Sequence, residues 1–198
     1  MRAISGLAAM AAIALTGCGD SGPAVEAPPA AVPAPEATQT APAVARPGAL
    51  GVTFEHAPGL AVMPCEAETP SCVDVVDRAR TGDEARLFRV QVFDGPLEAV
   101  AAEEAGFARD ADGRLMTTYG RFEPVAVEAF GEPGRQGLRA VVTCGISDPE
   151  TGFHAAGGEC LWAAVSDGGR TAVLSSNGLP AGLEAAERGV ATLRFAPE

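Results

Sequence analysis

From Gly51 onward the chain runs in short apolar stretches broken by glycine, proline and aspartate. Gly51 to His56 and Leu60 to Pro64, separated by Ala57-Pro58-Gly59, predict an opening hairpin with Val52, Phe54, Leu60 and Val62 available for burial. Leu87 to Phe93 alternates cleanly: Phe88, Val90 and Val92 share one face and Arg89 and Gln91 the other, predicting a strand that covers a core on one side. Asp94-Gly95-Pro96 then opens a helix, with Asp94 or Gly95 as cap, Pro96 in the first turn, Leu97, Val100 and Ala101 on one face, and Gly106 as the stop. Asp112-Gly113 suits a tight turn. Four more strands are predicted at Pro124 to Phe130, Leu138 to Cys144, Cys160 to Ser166 and Thr171 to Ser176, with Gly131-Glu132-Pro133-Gly134 and Asp167-Gly168-Gly169 as links. Leu179, Leu183, Ala186, Val190 and Leu193 recur at helical spacing and predict a terminal helix, weakened by Gly182 and Gly189.

Strands, a helix, a meander of strands and a closing helix imply an α+β fold, a largely antiparallel sheet flanked by helices. The hairpin at Gly51 to Pro64, the strand and helix through Leu87 to Ala105 and the ending Leu193-Arg194-Phe195 together resemble the PsbP/Mog1-like fold, over most of residues 51–195. That fold hosts binding and assembly factors with unlike partners, so the resemblance implies architecture and leaves the partner open.

The start of the chain has another character. Met1-Arg2 and the apolar Ala3 to Leu15 form a signal peptide, too short to span a bilayer with assurance. Leu15-Thr16-Gly17-Cys18 resembles the lipobox of bacterial lipoproteins: a branched apolar residue, two small residues and the cysteine to be acylated. The resemblance implies diacylglycerol on Cys18, cleavage after Gly17 and anchoring by two or three acyl chains, since one chain holds only marginally. An ordinary secretory leader followed by a free cysteine is the alternative. Gly19 stands where the family's inner-membrane retention signal has aspartate, which favours the outer membrane facing the periplasm in a host with two membranes. The expected organisation is therefore 1–17 signal peptide, 18–47 lipidated cysteine and Pro/Ala-rich tether, and 48–198 a folded α+β domain. The tether should be extended, at up to about 3 Å per residue.

With Cys18 acylated, four cysteines remain, an even number suited to disulfides in an exported domain. Three pairings are open; the local one, Cys65 with Cys72 and Cys144 with Cys160, fits the strand layout. Cys144 facing Cys160 would place Val142 opposite Trp162 and Ala140 opposite Ala164. Zinc is the rival reading, without a C-x-x-C pair and with only 2 histidines in the chain.

The net charge of -12 comes from 26 acidic against 14 basic residues. With no arginine run, nucleic acid is not an expected partner. No motif calls for a cofactor or a metal. His56, beside Glu55, and His154 are the histidines a hydrolase could use, but Ser175-Ser176-Asn177 lacks the spacing of a known nucleophile motif. Asp110 and Asp112 suit a turn better than a calcium loop. Glu103 and Glu104 diverge on their helix. The glycine-rich Gly131 to Gly137, with Arg135, lacks the lysine and hydroxyl residue of a P-loop and reads as a link between strands. Trp162 is placed beside the disulfide. Gly145 to Glu159, held at its base by that disulfide and carrying Phe153 and His154, is a candidate recognition loop, with a plain surface excursion as the alternative. Together these features point to a membrane-anchored, non-enzymatic binding or assembly module with an envelope protein partner. A histidine-based envelope hydrolase and a small-ligand carrier are the alternatives.

Overall fold

The computed structural model describes residues 41–65, 72–120, 122–148 and 153–197, without the side chains of 83, 146–148 and 153–156. Cys18, the signal peptide and most of the tether lie outside the described residues. The elements in order are β1 (Ala43–Ala45), β2 (Val52–His56), β3 (Leu60–Pro64), β4 (Cys72–Asp77), β5 (Arg86–Asp94), α1 (Leu97–Glu104), β6 (Ala108–Arg109) and β7 (Leu115–Thr117). They continue with β8 (Val125–Ala126), β9 (Glu128–Glu132), β10 (Arg135–Asp148), β11 (Phe153–Ser166), β12 (Arg170–Ser176), α2 (Pro180–Thr192) and β13 (Arg194–Phe195).

The fold is α+β. A seven-stranded sheet in the order β3-β4-β5-β12-β11-β10-β9 is antiparallel throughout, and two three-stranded sheets, β1-β2-β13 and β6-β7-β8, flank it. Strand alternation divides the core in two. Leu161, Ala163 and Val165 pack with Phe88, Val90 and Leu174 against α2 and β2, while Cys160 and Ala164 pack with Leu138, Ala140, Val142 and Val173 against α1. The central strands are thus covered on both faces rather than the single face expected for Leu87 to Phe93, and β12 is buried at Thr171, Ala172, Val173 and Leu174 in succession. Full burial of side chains such as Phe54, Phe88 and Leu174 contributes about 1.5–3 kcal/mol each.

The glycines expected to weaken α2 are packing positions. Gly189 lets Phe88 approach, since a Cβ there would sit 3.1 Å from the ring, and Phe88 meets Phe54 edge to face at 5.9 Å.

Several expectations are corrected. β2 and β3 both form but do not pair: β2 lies between β1 and β13, burying Val52 and Phe54 against α2, and β3 takes the edge of the main sheet beside β4. Alternation identified the strands but not their partners, and β4 itself was not foreseen. Ala43–Ala45, assigned to the tether, pair with Phe54–His56, so the folded part begins before Gly48. Pro96 is the cap of α1 rather than a residue of its first turn. In the long hairpin Cys144 lies opposite Gly158, Val142 opposite Cys160, Ala140 opposite Trp162 and Leu138 opposite Ala164, two residues from the expected register on the same face. The strands also continue beyond the disulfide, to Asp148 and from Phe153, so the described parts of Gly145 to Glu159 are ladder rather than loop.

Candidate functional site

Both local disulfides are present, Cys65 with Cys72 and Cys144 with Cys160, with Cα separations of 5.6 and 5.7 Å. Just past Cys144 the pairing slips: Cys144 faces Gly158, but Gly145 faces Ala156, which leaves Gly157 as an extra residue on β11. Such a bulge bends its strand and opens the ladder. Gly158 takes φ +117°, and a side chain there would run into the Gly178 carbonyl, so only glycine fits both backbone and space. The bulge thereby meets the link from β12 to α2, where Asn177 is fixed by donating from Nδ2 to the Arg86 carbonyl at 2.7 Å and accepting from the Leu179 amide at 3.2 Å.

Between this junction and the end of α1 lies a groove of about 560 Å³. Its walls are Trp162 and Tyr119, the Cys144–Cys160 bridge, Val173 and Ser175 of β12, and Glu104 at the end of α1. The chain's one tyrosine and one tryptophan meet here, edge to face at 5.6 Å. The Tyr119 hydroxyl donates to the Gly145 carbonyl at 3.1 Å, holding the bulge open in its bent form. Both aromatic side chains are partly exposed, presenting rigid apolar surface with polar rims. Glu84, Arg86 and Glu104 place two negative charges and one positive around the opening. A concave site of this volume, apolar in its walls with a few polar groups, has the dimensions of ordinary ligand pockets.

The residues expected to carry chemistry fall elsewhere or are engaged. His56 is buried in β2, 8% exposed, and its Nδ1 donates to the Ala57 carbonyl at 2.9 Å, a tautomer-fixing contact. The Ser176 hydroxyl accepts from the Leu161 amide at 2.8 Å and donates to the Asn177 carbonyl at 3.1 Å, closing the end of the sheet. The side chains of Phe153 and His154 lie outside the description, although their backbones pair with Asp148 and Ser147. Asp110 does serve a turn: its carboxylate accepts from the amides of Asp112 and Arg114, each at 2.9 Å. Trp162 packs beside the disulfide as expected. Sequence reading missed Tyr119 and the bulge. The one available sign was that the only tyrosine precedes Gly120 and the only tryptophan comes four residues after Gly157-Gly158.

No family model matches the chain, and no curated protein matches it. Solved structures do. The solution structure of cyanobacterial PsbP (CyanoP) from Synechocystis sp. PCC 6803 is 9% identical, over 84% of this chain and 99% of that one, with a TM-score of 0.45. The Saccharomyces cerevisiae Ran-binding protein Mog1p is 10% identical, over 78% of this chain and 95% of that one, with a TM-score of 0.41. A Bacteroides thetaiotaomicron VPI-5482 protein is 10% identical over 76% of this chain with a TM-score of 0.38, and this chain covers 47% of its length. At these values the likenesses bear on neither partner nor activity, and the fold class rests on the sheets and helices themselves.

Among the described residues, no helix is long and apolar enough to cross a membrane.

Proposed function

We propose that the protein is a lipid-anchored envelope lipoprotein whose folded domain is a non-enzymatic binding or assembly module. Its address follows from Met1-Arg2, the apolar stretch to Leu15 and Leu15-Thr16-Gly17-Cys18, which resembles a lipobox. Two disulfides suit an oxidising compartment. The outer membrane facing the periplasm is the address that Gly19 favours.

The observation that carries the binding reading is the groove at Tyr119 and Trp162. Its aromatic walls are the residue types that dominate recognition energy, held by the Tyr119 bond to Gly145 and by the disulfide, so binding requires little ordering of the site. The hairpin arms continue past the disulfide to Asp148 and from Phe153; Phe153 and His154 are included in the proposed recognition surface, and an envelope protein is the partner proposed. The hydrolase alternative gains nothing from the arrangement, because the Ser176 hydroxyl closes the sheet and His56 faces a backbone carbonyl in another sheet.

Position-resolved photo-crosslinking in intact cells tests this. A photoreactive residue at Ser175, on the groove wall, should trap one dominant envelope protein, and the same residue at Arg188, on α2, should not. Equal yields from both positions, or none from Ser175, would reject the groove as the recognition site.

A further inference from the structure

At the far end of the main sheet from the groove, about nine residues or roughly 30 Å along β10, three arginines from separate elements converge. Arg135 begins β10, Arg170 begins β12 and Arg194 begins β13, and all three line one pocket of about 330 Å³ with Asp167 and Phe195. Elsewhere the described arginines that form ion pairs are balanced by carboxylates: Arg80 by Asp77 and Glu84, Arg89 by Asp74, Arg109 by Glu98, Arg139 by Glu128, Arg188 by Glu184, and Arg114 by two aspartates. Here three guanidiniums share Asp167, on Arg170 at 3.0 Å, with only a distant contact from Arg194 to Glu132 at 3.9 Å. Among the described residues Arg135 forms no ion pair.

What holds Arg135 in place is the C-terminal end of α2. Its Nε donates to the Leu193 carbonyl at 2.9 Å, and one terminal nitrogen donates to the carbonyls of Val190 and Ala191. Arg194 donates to the same helix end, to Leu193 at 2.8 Å and Ala191 at 3.3 Å. A helix C-terminus carries about half a negative charge. Three guanidiniums against Asp167, the more distant Glu132 and that half charge leave an excess of about +0.5 in a concave site. Each guanidinium also has five N–H donors on a rigid fork, and those contacts leave donors over on all three. Burial, then the neighbouring Arg194 charge, lowers the Arg135 pKa from its ordinary value, with Glu132 opposing. The like charges are therefore held together at a cost that an anion would relieve.

We propose that this pocket is an oxyanion site for a small molecule bearing a carboxylate or a phosphate monoester. The guanidinium edges match the spacing of both groups, and Phe195, over which Arg170 lies at 5.1 Å, gives the site an apolar wall for the body of the ligand. Since the chain as a whole is strongly acidic, long-range attraction is absent and binding must come from contact. Gly134, in the turn that leads into Arg135, also lines the pocket. This site is independent of the groove and of its partner.

The test is a titration of the full chain, labelled with nitrogen-15 in nonionic detergent, with inorganic phosphate and separately with acetate, at an ionic strength held constant with chloride. Saturable shifts of the Nε resonances of Arg135 and Arg194 are expected with at least one of the two, and which one assigns the ligand class. Arg194→Gln should weaken that binding about tenfold, Arg194→Lys should weaken it less, and Arg188→Gln should leave it unchanged. If Arg194→Gln unfolds, the Lys variant carries the comparison. Shifts that do not saturate, that chloride reproduces, or that survive both Arg194 substitutions would overturn the proposal.

Discussion

Cys144 lies opposite Gly158 in the β10–β11 ladder while its disulfide partner Cys160 lies opposite Val142, so the bridge runs diagonally, its Cα atoms 5.7 Å apart. It ties two strands at the point where the bulge would otherwise loosen their pairing. With a sequence separation of 16, the bridge restricts the unfolded chain by about 3 kcal/mol in the chain-entropy model. The double variant Cys144→Ala/Cys160→Ala should therefore lose about 3 kcal/mol in urea unfolding. Peptide mapping of the wild-type protein should find these two cysteines joined to each other and to neither Cys65 nor Cys72.

The bulge itself depends on glycine. Gly158→Ala would place a Cβ at φ +117° against the Gly178 carbonyl, and a loss of about 2–3 kcal/mol is expected because both backbone and neighbour must shift. Gly134→Ala, with φ +84° but nothing near its Cβ, carries only the conformational cost of about 1 kcal/mol and is the matched control. Equal losses in the two variants would show that the contact with Gly178 is unimportant.

Much of this was legible in the sequence, for physical reasons that can be named. Leu87 to Phe93 declared its strand because a two-residue period has one interpretation when β-branched and aromatic residues occupy it, and Leu179 to Leu193 declared its helix in the same way. The pairing Cys144 with Cys160 followed from two strands joined locally. Partner choice was not legible: β2 and β3 look like a hairpin because Ala57-Pro58-Gly59 is short, yet the larger apolar gain for Phe54 lies under α2. The register was misplaced by two because a diagonal disulfide and a directly opposed one satisfy the same alternation. The groove was hidden because Glu104, Tyr119, Gly145, Trp162 and Asn177 converge from five separate segments, and the bulge that admits them is a property of tertiary contacts at Gly157 and Gly158.

Acid should destabilise the protein partly through Asp167. Burial acts to raise its pKa, but hydrogen bonds from the amides of Arg170 and Gly169 and from the Arg170 guanidinium outweigh it, so the folded-state pKa lies below the ordinary 3.8. A depressed folded pKa gives stability that is complete above the unfolded value and lost as pH falls through the folded one. Urea midpoints measured from about pH 5 down to about pH 2 should fall less steeply for Asp167→Asn than for the wild type below about pH 4. Parallel profiles would remove Asp167 from the account.

The proposed recognition surface includes Phe153 and His154, whose backbones pair with Asp148 and Ser147 beyond the disulfide. If they act in recognition, replacing both with alanine should reduce the yield of the Ser175 crosslink severalfold while the thermal midpoint stays within about 2 °C of wild type. Unchanged capture would confine recognition to the groove, and a large fall in the midpoint would make these side chains structural.

The address, the oxidising compartment and the class of partner all depend on Cys18. Mass spectrometry of the amino-terminal peptide of the mature protein from the membrane fraction tests this most directly. The account predicts a peptide that begins at Cys18 and carries diacylglycerol on its sulfur, with Cys18→Ser abolishing both processing and membrane retention. A mature protein whose unmodified amino terminus lies at any other residue would contradict it.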